Sequence, residues 1–401
     1  MNSKERHEAR YQRRKLNRDR KRTLQSETYS DKDAVFGLYA IADAYAKARK
    51  ASKWKSSTQA YGVNLFINAA KESDELISGK WKPKKQNKFV LYERGHRRNI
   101  TSVQIGEKCV QKAFCDNCLV PILRRPLIYD NGASLKGKGV DFALRRFKKH
   151  LRDHIRKHGR TGGILFFDFS DYFNSIRHDL LAESLFKYVQ GELMRNTYRK
   201  FLHASGEDGR GLGLGSQVFQ ISAVFFPNGI DHWIKDELGI RGYGRYMDDG
   251  YVICDSIDTL RSIKDELCRR AEALGLKLSN KKCRIIKLNQ PITFLKSRFR
   301  IEESGRVVHR LWKASAARIR KKLRKFRKFV DSGRMTFDEV NGIFHAWIMG
   351  LQRGRNFRVR VNAIRYFDNV FRAEGGYRIL NPRKRKYREL RAAVAVARRT
   401  L

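Results

Sequence analysis

Residues 244–254 read Gly-Arg-Tyr-Met-Asp-Asp-Gly-Tyr-Val-Ile-Cys and place two adjacent carboxylates, Asp248 and Asp249, between largely apolar flanks. Aromatic and β-branched residues on both sides of a short polar pair predict a β-hairpin. Successive side chains of a strand point to opposite faces, so adjacent aspartates cannot share one face of a regular strand. At the tip of a hairpin both can reach one cation. An isolated Asp-Asp-Gly turn would instead indicate only a solvated loop.

A third carboxylate decides between these two interpretations. Asp168 directly follows residues 163–167, a short apolar run that is typical of a buried strand. A charged side chain at the end of such a strand is unfavourable unless it is paired or binds a metal. Mg²⁺ prefers carboxylate and phosphate oxygens, and two such ions stabilise the attacking and leaving oxygens of a phosphoryl transfer. The sequence therefore predicts that Asp168, Asp248 and Asp249 form a metal-dependent catalytic site.

The balance of charge predicts the class of partner. The chain of 401 residues has a formal net charge of +46, and a chain this basic is expected to bind a polyanion. It contains no apolar run of about 18 residues and begins with a basic segment, so neither a membrane partner nor a signal peptide is expected. Cys115 and Cys118 have the spacing of a zinc knuckle, but without a second pair they do not predict zinc. We expect a reduced, cytoplasmic enzyme.

The aspartates carry a resemblance to a known family. Tyr246-Met247-Asp248-Asp249, together with Asp168 in Phe-Asp-Phe-Ser-Asp-Tyr-Phe, resembles the palm active site of reverse transcriptases. The resemblance implies an α+β right-hand polymerase with fingers, a palm built on an antiparallel sheet and a helical thumb. The expected parts are a basic N-terminal arm at 1–30, fingers at 31–160, the palm at 161–300, the thumb at 301–378 and a basic C-terminal tail at 379–401. The arm is expected to be mobile and to contact RNA phosphates or fold on binding RNA, unless it is only a solubilising tail. Three basic helices are predicted in the thumb, at 314–330, 336–351 and 357–371.

The resemblance also implies a site for the incoming nucleotide. Arg98, next to a basic loop between two predicted strands, would hold the triphosphate, with Arg94 and Arg97 as further candidates. Phe173 would exclude a ribose 2′-hydroxyl, unless it is only a core residue. The glycine-rich turn at 209–215 and the helix after it would support the templating base and the dNTP. The implied nucleotide-binding residues are Arg98, Phe173, Gly215, Gln220, Tyr246 and Met247.

Further roles are implied for residues around the aspartates. The carbonyl oxygen of Phe169 would be an additional metal ligand, and Lys282 would act near the leaving pyrophosphate as a general acid, unless it is a surface lysine. Lys136 and Lys138 lie in a Lys-Gly-Lys-Gly segment, which lacks the spacing of a P-loop. Nucleic-acid contacts are implied for Lys136, Lys138, Phe294 and Lys296, the last two in a segment similar to the primer grip.

The implied reaction is RNA-directed DNA synthesis. A primer 3′-hydroxyl, or a protein Tyr or Ser hydroxyl, would attack the α-phosphate of a dNTP opposite an RNA template, with two Mg²⁺ ions or with Mn²⁺ in their place. The expected partners are the RNA template, the RNA/DNA hybrid, dNTPs, a dedicated non-coding RNA, and an accessory protein or a further copy of the chain. A maturase-like RNA-binding scaffold is the first alternative, but it has no use for three converging carboxylates. An RNA-copying RNA polymerase is the second, and Phe173 and Met247 disfavour it.

The biological role is the least specified part of the prediction. Bacterial enzymes of the retroelement type serve diversity-generating retroelements, retrons or antiphage defence systems. Residues 226–232 keep an Asn, Asp and His that resemble the first group. In contrast, many of these enzymes have a Gly-x-Pro-x-Gly turn followed by a Ser-Gln pair, whereas here Gly213 replaces the proline and Phe219 precedes Gln220. These departures favour a defence-associated enzyme.

Overall fold

The computed structural model describes residues 3–84, 86–93, 96–311, 313–354 and 356–378. The basic tail predicted at 379–401 and the candidate Arg94 lie outside these residues. The described residues combine helices with antiparallel sheets, which agrees with the predicted α+β class. They form two compact units: the described residues of 1–150 and 162–286 make up the first, and those of 151–161 and 287–378 make up the second. None of the described helices combines the length and the hydropathy of a membrane span.

The N-terminal segment, which the sequence predicts to be a mobile basic arm, forms a helix in the structure. Helix α1 (Ser3–Thr28) is rich in Arg, Lys, Gln and Glu, which are good helix formers, although it lacks an apolar stripe. Residues 5–21 are exposed, and only the C-terminal end is anchored. Gln25 Nε2 donates to the carbonyl of Pro121 at 2.8 Å, and Ser26 Oγ accepts from the Gln190 amide at 2.7 Å.

The rest of the first 160 residues is mainly helical, with one hairpin. The helices are α2 (Lys32–Phe36), α3 (Leu38–Ala48), α4 (Ser56–Val63), α5 (Leu65–Ile77), α6 (Ile105–Phe114), α7 (Val120–Leu123) and α8 (Val140–His158). A π-helical turn at Cys115–Leu119 joins α6 to α7. Strands β1 (Asn87–Glu93) and β2 (His96–Ser102) form the predicted antiparallel hairpin. The amide of Thr101 in this hairpin donates to the carbonyl of Leu214 at 3.3 Å.

A four-stranded sheet lies at the centre of the first unit. Its strands are β3 (Gly163–Asp168), β4 (Tyr243–Tyr246), β5 (Asp249–Cys254) and β6 (Arg284–Lys287), in the order β4-β5-β3-β6. The predicted strand at 163–167 and the predicted hairpin around the paired aspartates are confirmed, because β5 is antiparallel to both β3 and β4. The remaining helices of this unit are α9 (Tyr172–Ser175), α10 (His178–Phe186), α11 (Glu192–His203), α12 (Gln217–Phe225), α13 (Asn228–His232) and α14 (Ile257–Ala273).

Both faces of this sheet are covered, so every residue of β3 is buried. On one face, Phe147 of α8 packs against Phe166 and Tyr251, with ring centroids 6.0 and 4.6 Å away. On the other face, Phe167 and Tyr243 belong to the main hydrophobic core. A continuous apolar strand is what a doubly covered sheet requires. The ionisable side chain of β3 therefore comes at its last residue, Asp168.

Gly250 allows a close approach between β5 and the core. A Cβ built on it would lie 2.1 Å from Cζ and 2.5 Å from Cε1 of Phe167. The Phe167 ring is 2% exposed and stacks on Tyr243, so it has no room to move away. We expect Gly250→Ala to lower the free energy of unfolding by about 1–3 kcal/mol in denaturant titrations.

Gly229→Ala is the matched control for this substitution. A Cβ on Gly229 meets no heavy atom within 4 Å, and the residue lies in α13. Alanine favours helix over glycine, so we expect a gain of up to about 1 kcal/mol. Equal losses of stability in the two variants would show that crowding against Phe167 has no energetic consequence.

The second unit contains a small sheet and three helices. Strands β7 (Ile292–Phe294), β8 (Ser297–Ile301) and β9 (Val307–Leu311) form an antiparallel meander. Helices α15 (Lys313–Asp331), α16 (Phe337–Gly350) and α17 (Phe357–Val370) match the three predicted helices to within a residue or two. Their shared core contains Leu323, Phe344 and Phe367, and Thr336 and Glu339 form a capping box at the start of α16.

Candidate active site

The three predicted aspartates meet at one end of the central sheet. Asp168 ends β3, is 4% exposed, and lies directly opposite Asp249 in the antiparallel register. Asp248 occupies the turn between β4 and β5, and its carbonyl accepts a 3.3 Å hydrogen bond from the Phe169 amide. The chain therefore brings together carboxylates that are separated by about 80 positions in the sequence.

Two of these carboxylates, Asp248 and Asp249, lie in surroundings that disfavour negative charge. Burial, and then the charge of Asp168, raises the pKa of the Asp248 carboxyl above its ordinary value. Burial, the charge of Asp248 and a hydrogen bond with Asp168 raise the pKa of Asp249 as well. One cation faces the cluster, since Lys282 Nζ lies 2.5 Å from Asp168 Oδ2. Burial of the Lys282 ammonium opposes its charge, but the hydrogen bond to Asp168 raises its pKa.

The chemistry of this donor set suits a divalent metal. Within the part of the chain that the structure describes, no three acidic, histidine or cysteine side chains are arranged so as to hold a metal ion. Instead, the Asp168 carboxylate accepts a hydrogen bond from the Lys282 ammonium. Buried carboxylates that repel one another are stabilised by a compensating cation, and carboxylate oxygens are the ligands that Mg²⁺ prefers. Phe169 follows Asp168 directly and so has its backbone at the same end of the sheet.

A buried ion pair behind the turn was not predicted from the sequence. Arg245 of β4 and Asp231 of α13 are 2% and 0% exposed, and Arg245 Nε and Nη2 donate to the two Asp231 oxygens at 2.8 and 2.5 Å. Arg245 Nη1 also donates to the carbonyl of Met247, directly before Asp248. The available signal was an arginine within an apolar strand, which requires a partner when the strand is buried.

Comparison with known proteins identifies the family. A family model described as reverse transcriptase (RNA-dependent DNA polymerase) matches residues 82–299, which is more than half of the chain. The chain belongs to the reverse transcriptase family. The predicted family and the right-hand polymerase fold class are confirmed, and the description of the matching family is that of an RNA-dependent DNA polymerase.

Solved telomerase structures are also similar to this reverse transcriptase. Apo telomerase from Candida tropicalis, truncated from the C-terminal domain, is 13% identical with a TM-score of 0.44, over 55% of this chain and 54% of that one. Telomerase from Candida albicans, in complex with a TWJ fragment of telomeric RNA, is 11% identical with a TM-score of 0.45, over 71% and 56% of the two chains. This reverse transcriptase thus spans just over half the length of these telomerases. No curated protein matches the chain.

Several predicted nucleotide-binding residues of the reverse transcriptase lie in the first unit. Phe173 is half-buried in α9, packs edge-to-face on Tyr172, and accepts a 2.8 Å hydrogen bond at its carbonyl from the Leu212 amide. A cavity of about 430 Å³ is lined by Asn174, the next residue in the chain, by the glycine-rich segment and by the β1–β2 hairpin. Gly215 has φ +119°, and a Cβ added to it would lie 3.1 Å from the carbonyl oxygen of Thr101. This position therefore favours glycine.

The other predicted contacts lie at several places in the structure. Gln220 is exposed on α12, and Tyr246 and Met247 are half-buried beside the aspartate turn. Arg98 pairs through its backbone with Leu91 in the hairpin, and its side chain lies outside the described part of the chain. Lys136 is exposed, whereas Lys138 donates to the Tyr129 carbonyl at 2.7 Å. In the second unit, the Phe294 side chain is buried at 4% exposure, while Lys296 is exposed with φ +60°.

Proposed function

We propose that this chain copies an RNA template into DNA by two-metal nucleotidyl transfer, adding dNTPs to a primer 3′-hydroxyl or to a protein hydroxyl. The observation that carries the proposal is the meeting of Asp168, Asp248 and Asp249 at the end of one buried sheet. An RNA-binding scaffold has no need of repelling carboxylates, whose burial costs stability when nothing compensates them.

In this mechanism Asp168 and Asp248 would hold two Mg²⁺ ions, with Mn²⁺ as a substitute, and Asp249 and the Phe169 carbonyl would complete the site. Bound metal would neutralise charge on the attacking and leaving oxygens. The protein itself would hold the carboxylates close together and exclude part of the water around them. Partial exclusion of water strengthens their interaction with a cation. Lys282 reaches Asp168 from solvent, with a side chain that is 62% exposed. The Lys282 ammonium, which donates a hydrogen bond to Asp168, would serve as the proton donor for the departing pyrophosphate.

The nucleotide would lie between the glycine-rich segment and the aspartates. Phe173, Gly215, Gln220, Tyr246 and Met247 would contact its sugar and base, and Arg98 its triphosphate. The segments 31–160, 161–300 and 301–378 would act as fingers, palm and thumb. Lys136, Lys138, Phe294 and Lys296 would contribute to the nucleic-acid path, where phosphate contacts position the duplex.

A primer-extension assay tests the proposal directly. Purified full-length chain is given an RNA template with an annealed DNA primer, Mg²⁺, and either dNTPs or NTPs. We expect DNA extension with dNTPs, and no extension after EDTA removes the metal. Extension with NTPs alone would instead support an RNA-copying RNA polymerase. Tight RNA binding without any synthesis, including with Mn²⁺ and a protein hydroxyl as primer, would support the scaffold alternative.

The exposed helix α1 is proposed to bind the phosphate backbone of RNA. Residues 5–21 are exposed, and the basic residues among them are Arg6, Arg10, Arg13, Arg14, Lys15, Arg18, Arg20 and Lys21. Deleting residues 1–20 keeps the anchoring contacts of Arg22 with Tyr188 and of Gln25 with Pro121. We expect the slope of log affinity against log salt to flatten by about 0.7–0.9 for each phosphate that α1 neutralises in the intact chain.

A second variant separates charge from helical structure. Leu16 is 70% exposed in the middle of α1, so Leu16→Pro breaks the helix while keeping every basic residue. If the helix presents its charges in register with RNA, affinity falls in Leu16→Pro while most of the salt slope remains. An unchanged slope after the deletion would show that α1 does not bind phosphates.

The biological role is proposed from the unusual glycine-rich element. We infer a bacterial reverse transcriptase of the retroelement type that copies a dedicated non-coding RNA in antiphage defence, because Gly213 and Phe219 depart from the more common pattern. A diversity-generating retroelement enzyme is the alternative, supported by the Asn, Asp and His of residues 226–232. Sequencing the RNA that copurifies with the chain tests this: one structured RNA supports defence, and a template repeat supports diversity generation.

A further inference from the structure

We propose that Arg245 and Asp231 are positioning residues for the reaction, which hold the aspartate turn in register with helix α12. The inference rests on the proposed function only where it predicts an effect on the rate of dNTP addition. Neither residue is proposed to contact metal, nucleotide or RNA. Their role follows from the hydrogen bonds of one buried guanidinium.

The Arg245 side chain donates hydrogen bonds to three different parts of the fold. Nε and Nη2 bind both oxygens of Asp231 in α13, at 2.8 and 2.5 Å. Nη2 also donates to the carbonyl of Val224, near the C-terminal end of α12, at 2.8 Å. Nη1 donates to the carbonyl of Met247 at 2.8 Å. A planar guanidinium makes such contacts in a fixed geometry, which a lysine ammonium cannot reproduce.

The Met247 contact acts on the backbone that carries the catalytic carboxylate. Met247 has φ +59°, in the left-handed region that non-glycine residues rarely adopt. Such a conformation persists only when the surrounding structure holds it. The Arg245 contact to its carbonyl supplies one such constraint, and the Phe169–Asp248 backbone bond supplies another on the following residue. The direction of the Asp248 side chain thus depends on a guanidinium that lies behind the turn.

The Val224 contact connects the same guanidinium to α12. This helix follows the glycine-rich segment and carries Gln220, which is proposed to contact the nucleotide. Carbonyls near the C-terminus of a helix lack intrahelical partners and favour a cationic donor. One side chain therefore ties the proposed nucleotide-supporting helix to the aspartate turn.

Asp231 keeps the guanidinium in place. Its Oδ1 also accepts a 2.6 Å hydrogen bond from the Tyr243 hydroxyl, and its side chain is fully buried. Burial opposes the charge of Arg245, but the Asp231 carboxylate raises the pKa of the guanidinium above its ordinary value. A buried pair of this kind is poor support for stability, since apolar residues of similar volume often replace it without loss. A positioning role explains its presence directly behind the catalytic turn.

A second buried network offers a matched control. Asp130 is 8% exposed, accepts from Arg146 and from Lys235, and its backbone carbonyl receives the Arg245 amide at 3.3 Å. It therefore supports the same strand β4 with its own buried charges. Its side-chain partners belong to α8 and to the π-helical turn Trp233–Glu237, and not to the aspartate turn or α12. Asp130→Asn removes a buried carboxylate next to β4 without altering the Arg245 side-chain contacts.

The test compares Arg245→Lys, Tyr243→Phe and Asp130→Asn in the full chain. For Arg245→Lys we expect kcat for dNTP addition to fall about 10- to 100-fold, with KM for dNTP and affinity for RNA within about threefold of wild type. Tyr243→Phe, which removes one bond to Asp231, should lower kcat by a smaller factor. Asp130→Asn should lower Tm but leave kcat unchanged.

Hydrogen exchange supplies a readout that does not depend on activity. Without metal or nucleotide, the peptide containing Met247, Asp248 and Asp249 should exchange faster in Arg245→Lys than in wild type, while it stays unchanged in Asp130→Asn. Equal kinetics and exchange in Arg245→Lys and wild type would overturn the proposal. A parallel fall of kcat in Asp130→Asn would also overturn it, because the effect would then be general destabilisation. If wild type makes no DNA, the proposed function fails, and the exchange result still decides the positioning role.

Discussion

The double variant Asp248→Ala/Asp249→Ala is expected to lose DNA synthesis by about 10³-fold or more while keeping its fold and its affinity for RNA. The two carboxylates lie at the end of the sheet beside Asp168, and burial and mutual charge raise their pKa values. Their ionised forms are therefore unfavourable in the metal-free protein. Removing them should leave Tm without metal equal to or above that of wild type, while metal no longer stabilises the protein.

The control removes an acidic side chain elsewhere in the same unit. The Asp258 side chain is 86% exposed at the start of α14, where it pairs with Arg261 on the same helix. Asp258→Ala should leave primer extension unchanged. Primer extension at the wild-type rate by the double variant in Mg²⁺ would refute the catalytic assignment. A large fall in Tm would show instead that these aspartates stabilise the fold.

Phe173→Ala is expected to lower the preference for dNTP over NTP by about 10- to 100-fold. Phe173 follows Asp168 by five residues, its side chain is half-buried, and its backbone carbonyl accepts a hydrogen bond from Leu212, one of the residues that line the 430 Å³ cavity. A 2′-hydroxyl placed against this ring would lose hydration without gaining a partner. Shortening the side chain opens that space. The measurement is the ratio of kcat/KM for dGTP and GTP, which should fall in the variant.

Phe186→Ala is the matched control for the removal of one phenyl ring. Phe186 is half-buried at the end of α10, where it packs on Tyr198 and under Arg199. Its removal creates a comparable void at the edge of the same core and should lower stability without changing the dGTP/GTP ratio. If the ratio is also unchanged in Phe173→Ala, then Phe173 is a packing residue and sugar choice arises elsewhere.

The sequence by itself determined the local elements of the site. The apolar run that ends at Asp168 and the apolar flanks of Asp248 and Asp249 predicted β3 and the β4–β5 hairpin, because strand formation follows from residue types that are adjacent in the chain. Three carboxylates that share a cation must lie close together. The sequence therefore predicted that the strand ending at Asp168 would lie next to the hairpin that carries Asp248 and Asp249. The antiparallel register, with Asp168 opposite Asp249, agrees with this.

Tertiary structure decided which charges are paired and which are exposed. Arg245 and Asp231 are 14 positions apart and Lys282 and Asp168 are 114 apart, so no local pattern relates them. The chain has 87 lysines and arginines, so the sequence alone does not indicate which basic side chain forms an ion pair with which carboxylate. The partner is known only once the fold buries the two side chains together. Helix α1 shows the converse, since its residues favour helix but have no apolar stripe to indicate it. Backbone preference is encoded locally, whereas the desolvation that requires a buried arginine to be paired arises only when distant elements pack together.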